Sequence, residues 1–369
     1  MINWAFLMHI RILLVTLLGW CCVAHAEPTI PEARTTLVAK WDPAEFRRAD
    51  PPSTAEARWQ SDPRSLLIRV RKTIELSVKP GYSHFYDRAR TLLEIPVEAQ
   101  TDNPEVWLLW AKVQQHYHDF DAALSALERV FSAQPDDVEA RLLAARIYLI
   151  QGRPDRAHGQ CIALIGNADL VTASACALEV AGYRNSLDSS YRSLQALVRR
   201  EGLPEDERGP WIAQILADMA LRLERFEEAQ SWLSQYLDGA SVNYLLQWSE
   251  VQLALGNHYR IIEELEPVVT TAPSIDDALA LRLAIAEQAT EGDHWQHYVE
   301  GRMALRLQRK DTHHASDLAR YHLDVDPQPE KALYWAEVNW EKAREHSDRQ
   351  LLQRARRMAD ELDGAEGES

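Results

Sequence analysis

The stretch CIALIGNADLVTASAC, residues 161–176, holds the only two cysteines beyond residue 22. Cys161 and Cys176 can serve as a structural staple, half of a metal site, a redox pair or two small apolar fillers. Zinc would need two further ligands, and His158 is the only histidine nearby in sequence. A reactive pair favours C-x-x-C at a helix start, which this spacing is not. Staple and buried free thiols both stay open until the compartment and the helical faces are considered.

Histidines, 13 in all, gather in the C-terminal third. GDHWQHY puts His294 and His297 three apart on one helix face with Asp293 beside them, and DTHHASDLARYH adds His313, His314 and His322. Neutral imidazoles at helical spacing can hold zinc, nickel or copper. The plainer reading is a solvated helix face, so Asp293, His294 and His297 are metal candidates only and no cofactor is expected. His116 and His118 in QHYHDF lie two apart and point in different directions on a helix.

Catalytic signatures are missing: there is no H-E-x-x-H, no G-x-S-x-G and no G-x-x-x-x-G-K-[ST]. The paired carboxylates of PDD, PEDE and IDD sit at helix starts, where they cap backbone N–H groups and meet the positive end of the helix dipole. The chain therefore reads as a non-enzyme. A helical polysaccharide-active enzyme remains an alternative, although no suggested turn offers a general acid.

The compartment is written at the N-terminus. MINWAFLMHIRILLVTLLGWCCVAHAEPT carries Arg11 as its only charge before Glu27, then an apolar run, then Ala24-His25-Ala26. This has the shape of a secretory signal cleaved after Ala26, with Met1 or Met8 as the start. The run is a little over half of the ~20 residues a spanning helix needs, so no stable membrane insertion is expected after cleavage. Bulky Trp20 argues against lipidation of Cys21 or Cys22. The expected place is the periplasm or outside the cell.

Losing Arg11 takes the formal charge of −16 to −17. So acidic a chain repels nucleic acid and anionic lipid. With 46% apolar residues and 12 tryptophans, core material is ample.

Residues 27–61 read as an irregular, proline-bearing arm in which Trp41, Phe46 and Trp59 suggest docking. From 62 to 361 the pattern is helical, with apolar residues recurring at three and four, and 362–369 reads as a disordered tail. Breaks such as QPDD, QGRPD, GLPEDERGP, TAPSIDD and DPQPEK arrive every fifteen to twenty residues. Beta-branched alternation is absent, so the expected class is all-α.

The breaks pair up at the 34-residue spacing of W-x2-L-G-x2-Y…A-x3-F…P. One register reads Trp107, Trp110, Ala111, Gln114, Ala123, Leu127 and Pro135. The next reads Arg141, Ala144, Ala145, Tyr148, Ala157, Cys161 and Asp169, and a later one Leu245, Trp248, Ser249, Gln252, Ile261, Leu265 and Pro273. A less regular unit holds Leu216, Ala217, Ala220, Ala229 and Leu233. Small residues let paired helices approach, and larger ones fill the gaps. On these residues the chain resembles the tetratricopeptide-repeat family, best over residues 103–273. The resemblance implies a right-handed superhelical solenoid of antiparallel helix pairs, in which each hairpin buries the face its neighbour leaves open. The C-terminal layout is also similar to exported bacterial repeat proteins, some encoded near nickel- or cobalt-permease-like membrane proteins. That likeness supports an alternative role as a metal-handling accessory (Ni, Co, Cu or Zn).

In that frame Cys161 takes a large core position equivalent to Leu127, and Cys176 lies on the first helix of the next hairpin. Both are about equidistant from the turn near Ala168, so they face each other within the reach of a disulfide. Export makes oxidation their default fate. A staple is the expected role.

The resemblance also implies that first helices line a concave groove. Its usual positions fall on Leu108, Lys112, Gln115 and His116, then on Leu142, Arg146 and Leu149. Later units supply Trp211, Gln214, Asp218, Asn243, Leu246 and Glu250. Only Lys112 and Arg146 are basic, so the basic and asparagine set with which some members clamp a C-terminal carboxylate is not reproduced. The expected function is a scaffold that binds a protein or peptide through this groove.

Overall fold

The structure, a computed structural model, describes Trp59, residues 61–290 and residues 292–367. The expected signal peptide and nearly all of the N-terminal arm lie outside the described residues. Chain contacts divide the protein at Thr54, and all the helices below belong to the second unit, Ala55–Ser369.

Seventeen α-helices follow one another, and no strand occurs among the described residues. They form eight consecutive hairpins and a closing helix. The hairpins are α1 Pro63–Ser77 with α2 Phe85–Glu98, α3 Pro104–His116 with α4 Phe120–Ala133, α5 Val138–Ile150 with α6 Pro154–Ile162, and α7 Leu170–Tyr183 with α8 Leu187–Glu201. Next come α9 Arg208–Arg222 with α10 Phe226–Leu233, α11 Val242–Ala254 with α12 His258–Thr271, α13 Asp277–Glu287 with α14 His294–Arg309, and α15 Ala315–Asp324 with α16 Pro329–Lys342. Helix α17, His346–Gly367, closes the series. It runs past residue 361, where a tail is expected, because DELDGAEG contains no proline and several good helix formers.

Local chemistry explains the punctuation. Between hairpins, acidic or amide side chains cap the incoming helix: Asn103 accepts from Glu105 N–H at 3.0 Å, Asp137 from Ala140 N–H at 2.8 Å and Asp169 from Thr172 N–H at 3.0 Å. Asp137 belongs to the PDD carboxylates that the sequence places at a helix start, and Asp206 of PEDE likewise accepts from Arg208 N–H at 3.0 Å, whereas Asp277 of IDD pairs with Arg302 and Arg306. Within hairpins, the tight turn between first and second helix contains one residue at positive φ. Six successive hairpins use Gly81, His118, Gly152, Asn185, Glu224 and Gly256. Glycine suits this conformation, while His118 and Glu224 carry a Cβ into it at a cost of about 1–2 kcal/mol.

Packing follows the repeat pattern. Ala111, Ala145, Ala217 and Ser249 are buried on first helices, and Ala123, Ala157 and Ala229 on second helices. Each odd-numbered helix also packs on the next odd-numbered one, from α1 through α17. A row that stacks this closely forms the inside of the curve. The architecture is an all-α solenoid.

Cys161 and Cys176 are joined by a disulfide, with Cα atoms 5.5 Å apart. They sit in one buried cluster with Ala145, Leu149, Ala157, Leu164 and Val180. The bridge therefore ties the third hairpin to the fourth.

One turn of the solenoid rests on the next. Val242 N–H donates to the Val78 carbonyl at 2.8 Å, and Ser274 Oγ to the Gly81 carbonyl at 2.8 Å. A Cβ on Gly81 would come within 2.7 Å of the Ser274 carbonyl oxygen. Farther along, Arg344 N–H donates to the Ile150 carbonyl at 2.7 Å. The corners inside the first and third hairpins thus sit on the corners that follow the fifth, sixth and eighth.

Candidate functional site: the inner groove

The odd-numbered helices present a ladder of charged side chains along their shared face. Arg71 of α1 bonds Glu105 of α3 at 3.2 Å and Glu139 of α5 at 3.3 Å, and Lys112 also reaches Glu139. Arg146 of α5 lies 3.7 Å from Glu179 of α7. On α9, Arg222 bonds Asp218 at 3.2 Å, donates to the Gly182 carbonyl at 2.7 Å and covers the Tyr183 ring at 4.0 Å. Glu250 of α11 accepts from Arg282 of α13 at 2.9 Å and from Arg320 of α15 at 2.9 Å. Arg282 continues to Asp317 at 3.3 Å, and Arg354 of α17 bonds Asp324. The ion pairs fall into three groups, one on α1 to α7, one within α9 and one on α11 to α17.

The middle of the ladder is walled by protein yet reached by water. The Arg146 side chain is 45% accessible although three elements surround it: α5 itself, Glu179 of α7 and Glu345, which arrives from the corner between α16 and α17 at 2.8 Å. The charge of Glu345, followed by that of Glu179, holds the guanidinium firmly protonated. Glu179 is 8% exposed. Burial pushes its carboxyl up to about 7 against the pull of Arg146, with Asp218 and Glu345 adding to the rise. Burial also raises Glu345 and Tyr183. Burial works against the Glu250 carboxylate too, but Arg320 and Arg282 outweigh it and keep Glu250 below its ordinary value.

Chemically this is a surface of fixed, mostly paired charges. Glu179 has the pKa of a general acid. The two carboxylates acting on it are each tied to a guanidinium, Asp218 to Arg222 and Glu345 to Arg146. That arrangement orients dipoles and does not leave a free base beside the acid.

The residues expected in the groove divide sharply. Lys112, Arg146, Asp218 and Glu250 take places in the ladder. Gln115, Leu142, Gln214 and Leu246 are half-buried, Asn243 is exposed, and the Gln214 carbonyl accepts from Gln247 at 2.9 Å. Trp211 is half-buried and packs against two core clusters. His116 stacks face to face on Tyr86 at 3.6 Å, and burial first, then the histidines 118 and 314, lower it to about 4.

Leu108 and Leu149 are corrected by the structure: both are buried, at 4% and 1% exposure. Leu108 packs with Phe120 and Ala144, and Leu149 with Cys161 and Cys176. Their helices turn these flanks toward neighbouring helices, so neither reaches a partner.

Glu179, Tyr183, Arg222, Arg282 and Arg320 escaped the sequence reading. A signal existed for some of them, since Glu179 lies one repeat beyond Arg146. Glu345 had none, because it enters from another turn.

The metal candidates stand apart. His297 and Asp293 are exposed, with His297 Nδ1 2.8 Å from the Asp293 carbonyl oxygen, and His294 packs edge-on against Trp295. His322 is buried with Nδ1 3.3 Å from the Asp326 carbonyl, and His314 faces Asp311 at 2.8 Å. Among the described residues no three metal-ligating side chains converge. None of their helices is long and apolar enough to cross a membrane.

Residues 116–169 match the profile of a tetratricopeptide repeat. No curated protein matches the chain. The solved tetratricopeptide domain of P58(IPK) aligns with 80% of this chain and 99% of its own at 16% identity, with a TM-score of 0.26. Residues 116–169 thus carry a tetratricopeptide repeat, and the hairpins before and after them follow the same plan of small-residue contacts and serial stacking.

Proposed function

We propose that this chain is an exported scaffold that binds a protein or peptide partner in its inner groove. The carrying observation is the ladder: charged side chains recur at each step of the inner wall, and its centre at Arg146 stays wet. Fixed charges on a rigid concave wall select a partner by complementarity more than by buried area. Export is read from the leader-like N-terminus and fits the disulfide.

Site-specific photo-crosslinking in intact cells tests this. Probes replace Gln115, Gln214 and Asn243 on inner helices and Tyr259, 72% exposed on α12, as the outer control. Discrete adducts from the inner positions and none from Tyr259 are expected. Adducts only from Tyr259, or from no inner position, would refute the groove.

A further inference from the structure

The chain's own C-terminal corner reaches into the groove. Between α16 and α17, Ala343 packs against the apolar cluster that holds Phe120 and Ile150, Arg344 N–H donates to the Ile150 carbonyl, and Glu345 bonds Arg146. The corner is preformed: Asp348 accepts from Glu345 N–H at 2.9 Å and from Asn339 at 2.8 Å. It therefore moves as one knuckle with the helices it joins.

This joint differs in kind from the rest of the solenoid. Successive hairpins are held by continuous apolar packing. The turn-to-turn seam sets a row of polar contacts beside the small apolar contact of Ala343: Val242 to Val78, Ser274 to Gly81, Lys79 to the Gly239 carbonyl, Arg344 to Ile150 and Arg146 to Glu345. Such contacts exchange readily with water, so their net contribution is small beside that of buried apolar surface. The seam opens before the stack does.

We infer that the Arg146–Glu345 bridge is an autoinhibitory clasp: it closes one turn on the next, and its release uncovers the inner faces of α5, α7 and α9 for the partner. The inference rests on the groove reading proposed above. Arg146 serves both sides of the seam, Glu179 on its own turn and Glu345 across it. When Glu345 leaves, the guanidinium stays in water with Glu179 beside it, so the open state strands no charge. A partner that binds the open form better shifts the equilibrium by that difference in affinity.

Amide hydrogen exchange on the full chain reads the clasp directly, because the Arg344 N–H bond exists only across the seam. Glu345→Gln removes the charge-assisted bond, and its Arg344 amide is expected to exchange about tenfold faster or more. The Leu216 amide, inside α9, keeps its wild-type rate. An unchanged Arg344 rate, or equal acceleration at Leu216, overturns the clasp.

A paired Gly152→Cys and Arg344→Cys variant supplies a lock, since a Cβ at 152 would lie 3.2 Å from the Arg344 Cβ, and a shift of a few tenths of an ångström brings the two to disulfide spacing. Oxidised, it is expected to lose the adduct formed by a probe at Gln214. If the wild-type protein forms that adduct and the lock leaves it intact, the clasp is wrong and the groove reading stands. If no inner position forms an adduct, the groove reading fails, and the Arg344 exchange rate alone decides the clasp.

Discussion

The guanidinium of Arg146 and the carboxylate of Glu345, 199 positions apart in sequence, meet at 2.8 Å. This pair joins two turns of a superhelix whose other long-range contacts lie mostly between adjacent hairpins. Because Arg146 remains wet, the attraction is screened, and the pair acts on register more than on bulk stability. Arg146→Gln is expected to lower unfolding free energy by only about 1 kcal/mol, measured by urea denaturation. Combined with Glu345→Gln, the loss should fall short of additive. Additive losses would show that the two side chains are not coupled in solution.

The disulfide should dominate the local stability of the third and fourth hairpins. Closing a loop of about 15 residues constrains the unfolded chain by roughly 3 kcal/mol. A chain beginning at residue 27, denatured without reductant, should show no reactive thiol, and two after reduction. Replacing Cys161 and Cys176 with alanine should lower the denaturation midpoint by a corresponding amount.

Glu179 predicts one direction of pH dependence. Its folded pKa, near 7, exceeds the unfolded value, so the folded state holds the proton more tightly. That contribution is fully present below about pH 4.5 and is lost as pH rises through about 7. Glu179→Gln should therefore stabilise the chain at pH 8, by about 1–2 kcal/mol, and do little at pH 5. Thermal melts at the two pH values compare the effects, and equal shifts at both would contradict the buried, protonated carboxyl.

His116 acts in the opposite sense. Its pKa falls from 6.5 to about 4 in the folded chain, so the folded state resists protonation. Stability is intact above pH 6.5 and declines as pH drops toward 4. His116→Phe keeps the stack on Tyr86 and should flatten this acid limb. Titration of the His116 ring by NMR gives the direct check, and a midpoint near 6.5 would remove the effect.

Two turn residues in one conformation should respond with opposite signs. Glu224, exposed at φ 58°, carries a Cβ that the conformation disfavours, and Glu224→Gly should stabilise by a few tenths to about 1 kcal/mol. Gly152, at φ 68°, faces Arg344 across the seam, so Gly152→Ala should destabilise by more than 1 kcal/mol. Denaturation midpoints of both variants make the comparison.

By itself the sequence determined the hairpin. The capping carboxylate Asp137, the small residues Ala111 and Ala145, and the separation of Cys161 from Cys176 act within one or two repeats. Each is legible because its partner lies at a fixed local spacing. The same spacing put Lys112, Arg146, Asp218 and Glu250 on first helices, where each takes part in an ion pair.

Only the tertiary structure decided which flank of each first helix faces a neighbour, and so it buried Leu108 and Leu149. It alone brought Glu345 to Arg146 and the Ser274 corner to Gly81. Small rotations between successive hairpins accumulate over the whole array, and only their sum places one turn on another. No local pattern of residues encodes that sum.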